Sequence, residues 1–217
     1  MATSAVPVLI GQYDSPFVRR VAITMRLYGM PFEHQPWSVF RDAEKIATYN
    51  PLRRVPTLVM PSGETLIEST VIVDALDDQV ADEQLLLPRR GAQRRAGLKI
   101  VALAFGLADK GVALVYENVF RESGTQSMRW TARCERQVAD TLQLLENERA
   151  SIHSPWWFGE KLSHADIAVG IAMRFMAQAA PRLVPSLRLP ALRDHQMRCQ
   201  TLVAPFAEID QPLSFPE

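Results

Sequence analysis

Residues Asn50 to Ser69 read N-P-L-R-R-V-P-T-L-V-M-P-S-G-E-T-L-I-E-S. Thr57 to Met60 is a short apolar run with β-branched residues; it stops at the turn signal Pro61-Ser62-Gly63 and resumes as Thr65-Leu66-Ile67. Two such runs around a glycine-containing turn predict a β-hairpin. Pro56 cannot donate a ladder hydrogen bond, which places Val55 and Pro56 at the entrance of the first strand. A cis Val55-Pro56 bond would turn the Val55 amide and carbonyl outward, where an extended peptide can pair with them. Only about 5–6% of X-Pro bonds are cis, so the residues alone do not demand it. Glu68-Ser69 leads into Thr70 to Leu76, a predicted helix with Ser69 at or near its N-cap. Uncommitted amides and the dipole at that helix start suit a carboxylate ligand. A peptide-backbone dock beside an anion dock points to a small acidic peptide.

V-P-T-L at 55–58, preceded by N-P-L-R-R and followed by E-S at 68–69, resembles the glutathione-binding half of the glutathione transferase family. The resemblance implies that Val55-Pro56 is cis, that Val55 hydrogen-bonds the cysteinyl backbone of glutathione, and that Glu68 and Ser69 hold its γ-glutamyl end. Arg53 or Arg54 matches a basic residue that some members use near the glycyl carboxylate, with Arg41 and Lys45 as weaker candidates for that role.

A second stretch, Y-D-S-P-F-V-R-R at 13–20, carries the candidate chemistry. On its own terms Ser15 is an N-cap with Pro16 at the first helical position. The same geometry lets a hydroxyl donate to an incoming thiolate. A cysteine-type thiol has a pKa of about 8.5, which a donor and a helix dipole lower toward neutrality. S-P-F here resembles the serine-type members, including the plant tau class and related bacterial enzymes, which implies that Ser15 is the catalytic group. Tyr13 is the alternative donor, because other classes use tyrosine. Position 15 is not cysteine, which argues against a mixed-disulfide reductase. A third stretch, W-F-G-E-K-L-S-H-A-D-I-A-V at 157–169, resembles the most widespread signature of the family's helical domain. Ser163 and Asp166 have the S-x-x-D spacing of a capping box, a folding element with no catalytic role.

Composition narrows the remaining classes. The chain has 217 residues, 47% of them hydrophobic, enough to bury a sizeable core in one or two domains. Its 24 basic and 24 acidic residues give zero formal net charge, so electrostatics favour neither a nucleic-acid nor a membrane partner. Cys134 and Cys199 lie far apart and read as ordinary thiols of a reducing compartment. The four histidines, His34, His153, His164 and His195, do not cluster, so no metal site is expected. The N-terminus lacks the pattern of a secretory leader, and no apolar run is long enough to span a bilayer. A cytoplasmic protein is expected.

In chain order, Val8 to Gly11 predicts a buried strand, Pro16 to about Tyr28-Gly29 a helix, Phe32 to Trp37 a strand near an edge because of Pro36, and Asp42 to Tyr49 a short helix. With the hairpin and a helix from Ser69 to about Val80, the order β-α-β-α-β-β-α is thioredoxin-like. Residues 81–91 read as a linker, and 92–217 as an all-helical domain after a thioredoxin-like domain over 1–80. Long helices are predicted over 92–121, with Gly106 and Gly111 able to soften or divide it, and over 127–150. Others follow over 164–179, apolar on most sides and so central, and over about 191–203. The residues after Pro205 read as mostly irregular.

The resemblance spans essentially the whole chain. It implies a cytosolic glutathione transferase of the α/β plus all-α fold, acting as a homodimer, with glutathione as co-substrate and a small electrophile as second substrate. Phe105, Asp109, Val112 and Tyr116 share one helix face that either lines the electrophile pocket or packs the domains together. The alternatives are a dehalogenase, isomerase or peroxidase using the same site, or a non-catalytic glutathione-binding relative.

Overall fold

The computed structural model describes residues 5–214. The described residues divide into two compact units, one formed by residues 5–85 together with 204–214, the other by Leu86–Val203.

In the first unit, β1 (Val8–Ile10) is followed by α1 (Pro16–Leu27), β2 (Glu33–Gln35), α2 (Ala43–Ala47), β3 (Thr57–Val59), β4 (Thr65–Ile67) and α3 (Ser69–Asp77). The sheet order is β2-β1-β3-β4, parallel between β1 and β2 and antiparallel across the other two pairs. This is the expected thioredoxin-like arrangement, with β2 at an edge. The strands are each three residues long, so β2 is shorter than its sequence pattern suggested.

Leu9, Ile10, Val18, Val21, Ile23, Met25, Ile46, Leu58, Ile72 and Leu76 form the core of this unit and are at most 1% exposed. Burying each large aliphatic side chain contributes about 1.5–3 kcal/mol. Helix α1 starts where the sequence places it, with Ser15 as N-cap and Pro16 at the first turn. Helix α3 begins at Ser69, where its pattern places it, and ends at Asp77, a little short of Val80. Glu68 is the N-cap, in the left-handed region at φ 68°, and Ser69 is already helical. The turn out of β4, rather than side-chain capping, fixes that start, because the Glu68 side chain makes no cap bond.

In the second unit, α4 (Ala92–Val119), α5 (Met128–Ala150), α6 (His164–Ala179) and α7 (Pro190–Leu202) form a helical bundle. Helix α6 is buried on nearly every side, as its apolar pattern required. Ser163 and Asp166 form the expected capping box: the Ser163 N–H and Oγ–H both donate to Asp166 Oδ2, at 2.9 and 2.6 Å. Helix α7 is capped from outside itself, the Glu146 carboxylate of α5 accepting from the Ala191 and Leu192 amides at 2.9 Å each. Helix α4 is not divided at its glycines. Gly111 is there for proximity, since a Cβ would meet Met176 Sδ at 2.6 Å and Phe175 Cε1 at 2.7 Å on α6, whereas Gly106 faces open space.

The chain after α7 departs from its expected description. Ala204–Glu208 is a short helix, α8, with Phe206 and Ile209 buried, and it belongs to the first unit instead of the helical one. The predicted helical domain of 92–217 therefore gives up its last residues to the sheet-bearing unit. No helix among the described residues is long and apolar enough to cross a membrane.

Candidate functional site

The sheet register gathers the candidate residues at one end of the first unit. Thr57 pairs with Ile67 across β3 and β4, so Val55-Pro56 before β3 and Glu68-Ser69 after β4 emerge at the same end of the hairpin. Ile10 pairs with Thr57 across β1 and β3, which brings Gly11 and the loop leading to Ser15 to that end as well. The approach is close. A Cβ on Gly11, whose φ is 129°, would fall 2.6 Å from Val18 Cγ2 and 2.8 Å from Val55 Cβ.

The Val55-Pro56 bond is cis. Val55 is half-buried, and among the described residues neither its N–H nor its carbonyl has a hydrogen-bond partner. The turn before it is braced by buried Asn50. Asn50 Nδ2 donates to Arg54 O (3.0 Å) and Thr57 Oγ1 (3.3 Å), and Asn50 Oδ1 accepts the Leu52 amide (3.0 Å). The sequence reading used Asn50-Pro51 only as a helix stop and missed this brace; an asparagine two residues before an amide that needs an acceptor is the signal that could have found it.

At the start of α3 the Ser69, Thr70 and Val71 amides have no acceptor among the described residues, and Ile72 N–H is the first to close a helical bond, onto Glu68 O. Behind them lies Arg20 of α1, 3% exposed. Its Nη1 donates to Thr70 Oγ1 at 3.0 Å and, more weakly, to Ser69 Oγ at 3.5 Å. Burial pulls the Arg20 guanidinium down to about 10, with the Asp77 carboxylate opposing. A buried cation and open amides together make this helix start electropositive. Arg20 had no place among the expected site residues, because a charged residue in a helix pattern is ordinarily taken as solvated.

The two arginines of the turn separate. Arg53 Nη2 pairs with Glu44 at 3.2 Å, while Arg54 Nη1 lies 3.4 Å from Glu68 Oε1 at the gathered end. Of the weaker candidates, Lys45 is engaged with Asp42 at 2.7 Å.

Ser15 Oγ accepts the Val18 amide at a long 3.4 Å, so it caps α1. Its own hydroxyl hydrogen has no acceptor among the described residues. Tyr13 lies in the same loop but on the far side of Gly11 from Val55. Its ring stacks on His34 of β2, centroids 3.8 Å apart and planes 6° from parallel, and His34 Nε2 donates to Gly11 O at 2.7 Å. Burial raises the Tyr13 hydroxyl pKa, against a smaller opposing effect of Arg26.

In the helical unit, Phe105 is buried while Asp109 and Tyr116 are exposed, and the Tyr116 ring meets Phe120 edge-on at 5.1 Å. His195, also in that unit, is fully buried and its pKa falls to about 4, chiefly through burial. Among the described residues no group of three or more His, Cys, Asp or Glu could hold a metal ion.

The family model for the N-terminal domain of glutathione S-transferases matches residues 9–84. An uncharacterised GST-like protein of Escherichia coli strain K12, YibF, is 32% identical over 138 residues, covering 64% of this chain and 67% of that protein. A glutathione S-transferase from Methylobacterium radiotolerans, solved in complex with glutathione sulfonate, is 26% identical and covers 97% of both chains with a TM-score of 0.89. One from Methylobacillus flagellatus, solved with glutathione bound, is 27% identical, covers 95% of this chain and 100% of its own, and has a TM-score of 0.85. In sequence and in fold, this chain belongs to the glutathione transferase family.

Proposed function

We propose that this protein is a glutathione transferase that binds glutathione at the gathered end of its sheet and presents the thiolate to a small electrophile. The observation that carries the reading is a set of uncommitted groups at one end of one sheet. The Val55 N–H and C=O, the Ser69 to Val71 amides and the Ser15 hydroxyl hydrogen all lack protein partners among the described residues. An extended tripeptide supplies what each of them lacks. Its cysteinyl backbone pairs with Val55, its γ-glutamyl carboxylate takes the amides at the start of α3, and its γ-glutamyl ammonium meets Glu68. Arg54, beside Glu68, serves as the basic residue toward the glycyl carboxylate. Bound glutathione in the Methylobacillus flagellatus relative supports the choice of peptide.

Ser15 is the thiolate donor in this proposal, and capping and catalysis are compatible in it. One lone pair accepts from α1, and the free hydrogen is given to sulfur. Stacking of Tyr13 against β2, on the opposite side of β1 from β3, favours Ser15 over Tyr13. The chemistry is nucleophilic attack of the thiolate sulfur on an electrophilic carbon, with displacement of a leaving group or addition to a double bond. A homodimer and a cytoplasmic setting belong to the same proposal and rest on family resemblance.

Ser15→Ala tests it. The pKa of the bound glutathione thiol, read from thiolate absorbance at saturating glutathione, should rise by about one to two units, the worth of one hydrogen bond to a charged group. Turnover of a model aryl halide at neutral pH should fall with it, and the lost cap should cost about 0.5–2 kcal/mol of stability. A shift of less than a few tenths of a unit in a folded variant would leave Ser15 as a cap alone, and a shift seen only in Tyr13→Phe would move the role to Tyr13. Glutathione retention without turnover of any electrophile would identify a binding protein instead.

A further inference from the structure

The loop that carries Ser15 is tied to a part of the chain nearly 200 residues away in sequence. The Tyr13 amide donates to Gln211 Oε1 at 3.1 Å. Asp14 Oδ2 accepts both the N–H and the Oγ–H of Ser214, at 3.2 and 2.6 Å. The two residues immediately before Ser15 are therefore each held by the 204–214 segment. That segment is anchored in turn on α1. Arg19, 2% exposed, donates Nη1 to Asp210 Oδ1 at 2.7 Å and Nη2 to Phe206 O at 3.2 Å, and the Phe206 ring is buried.

We propose that Gln211 and Ser214 are positioning residues for the thiolate-activating hydroxyl, fixing through Tyr13 and Asp14 the direction in which Ser15 presents its hydrogen. Three features carry this. First, the Ser15 side chain itself is loosely held: the Tyr13 ring stacks on His34 and the Ser15 amide reaches Gln12 O at 3.2 Å, but the Ser15 cap bond to Val18 is long at 3.4 Å, so the direction of its hydroxyl follows the loop. Second, the bond from the Ser214 hydroxyl to a carboxylate is short, the charge-assisted kind that restricts geometry most. Third, the anchor lies on α1, the same helix that Ser15 caps, so helix, loop and segment form one closed set of contacts within a single unit. Hydrogen-bond donation to sulfur depends steeply on angle, so a loop free to rotate by some tens of degrees loses much of its effect on the thiol. The inference rests on the proposed role of Ser15.

The test is Gln211→Ala/Ser214→Ala, with Ser214→Ala alone as the milder variant, Ser214→Thr as the conservative replacement and Ser15→Ala beside them. In the double variant the bound glutathione thiol should titrate about half a unit higher, which lowers its thiolate-to-thiol ratio roughly threefold. The turnover number should fall with the thiolate fraction, by up to about threefold at pH values below the thiol pKa, while glutathione affinity by calorimetry stays within about twofold, because the Val55, Glu68 and Ser69 contacts are untouched. Ser214→Thr keeps a hydroxyl and should restore the parent thiol pKa relative to Ser214→Ala. A parent-like thiol pKa and turnover number in both alanine variants, with Ser15→Ala raising the pKa, would overturn the positioning role and leave Ser15's role standing. No pKa change in Ser15→Ala would overturn both. A purely structural role for the segment predicts lower thermal stability with no change in thiol titration, and that result would also overturn it.

Discussion

The 50–69 stretch and the 204–214 segment border the same loop of the first unit, one through Val55 against Gly11 and the other through Gln211 and Ser214 against Tyr13 and Asp14. They are built in opposite ways. The 50–69 stretch is held mainly by backbone: β3 pairs with β4 on one side and β1 on the other, and the Asn50 brace fixes its turn. The 204–214 segment has one short helix and is held by side-chain bonds to partners 187 to 200 residues away. An element held by ladders of backbone bonds tolerates the loss of one side-chain contact. A segment held by a few distant side chains is removed one contact at a time, which makes it the better place to tune activity without changing ligand binding.

Gly11 opens that loop and packs directly on the Val55 turn, and replacing it should damage this junction. A Cβ at that site collides with Val18 and Val55 and sits at φ 129°, so Gly11→Ala should cost about 3 kcal/mol or more from overpacking and backbone strain together. The urea midpoint would report this, and a parent-like midpoint would show that the loop and the Val55 turn can separate. The next largest effect sharpens the contrast from one side only. Glu68→Ala/Ser69→Ala should weaken glutathione binding by about 3 kcal/mol, more than a hundredfold, through loss of charge-assisted bonds. The segment variants should leave that affinity alone, and equal weakening by both sets in calorimetry would erase the distinction. The smallest of the three acts from the other side. Asp210→Asn leaves the buried Arg19 guanidinium without its carboxylate. Because the Asp210 side chain is 37% exposed, the loss should be about 1–2 kcal/mol of stability, below that of a fully buried pair. Its measure is the denaturation midpoint, with glutathione affinity as the control.

The same contrast explains what could be read in advance. The hairpin was legible because turn chemistry at Pro61-Ser62-Gly63 and β-branched runs on either side are local signals. Starts of α1 and α6 were legible because Ser15-Pro16 and Ser163/Asp166 declare them. The start of α3 at Ser69 was legible as well, although Glu68 takes its conformation from the exit of β4 and no side-chain bond marks it. Arg19 and Arg20 were opaque. Side by side on one helix, both are buried, the first toward Asp210 and the second toward Ser69 and Thr70, and neither partner is within reach of any sequence window. Gly106 and Gly111 could not be told apart either, because only the packing of α6 shows that one is required by close approach. The placement of 204 onward was opaque for the same reason as Arg19: side-chain bonds to distant residues and a buried phenylalanine leave no period in the sequence.

The burial of both cysteines has a consequence for the redox chemistry of a protein that handles a thiol. Cys134 and Cys199 are each 0% exposed, and burial raises both thiol pKa values, that of Cys199 further supported by the nearby Asp166 carboxylate. Neither is available as a thiolate to attack glutathione disulfide, so the protein resists glutathionylation in an oxidised glutathione pool. In a mixture with its ligand, every sulfhydryl that a mild alkylating reagent can reach belongs to the ligand. The ligand's sulfur can therefore be counted and titrated in place without replacing either cysteine.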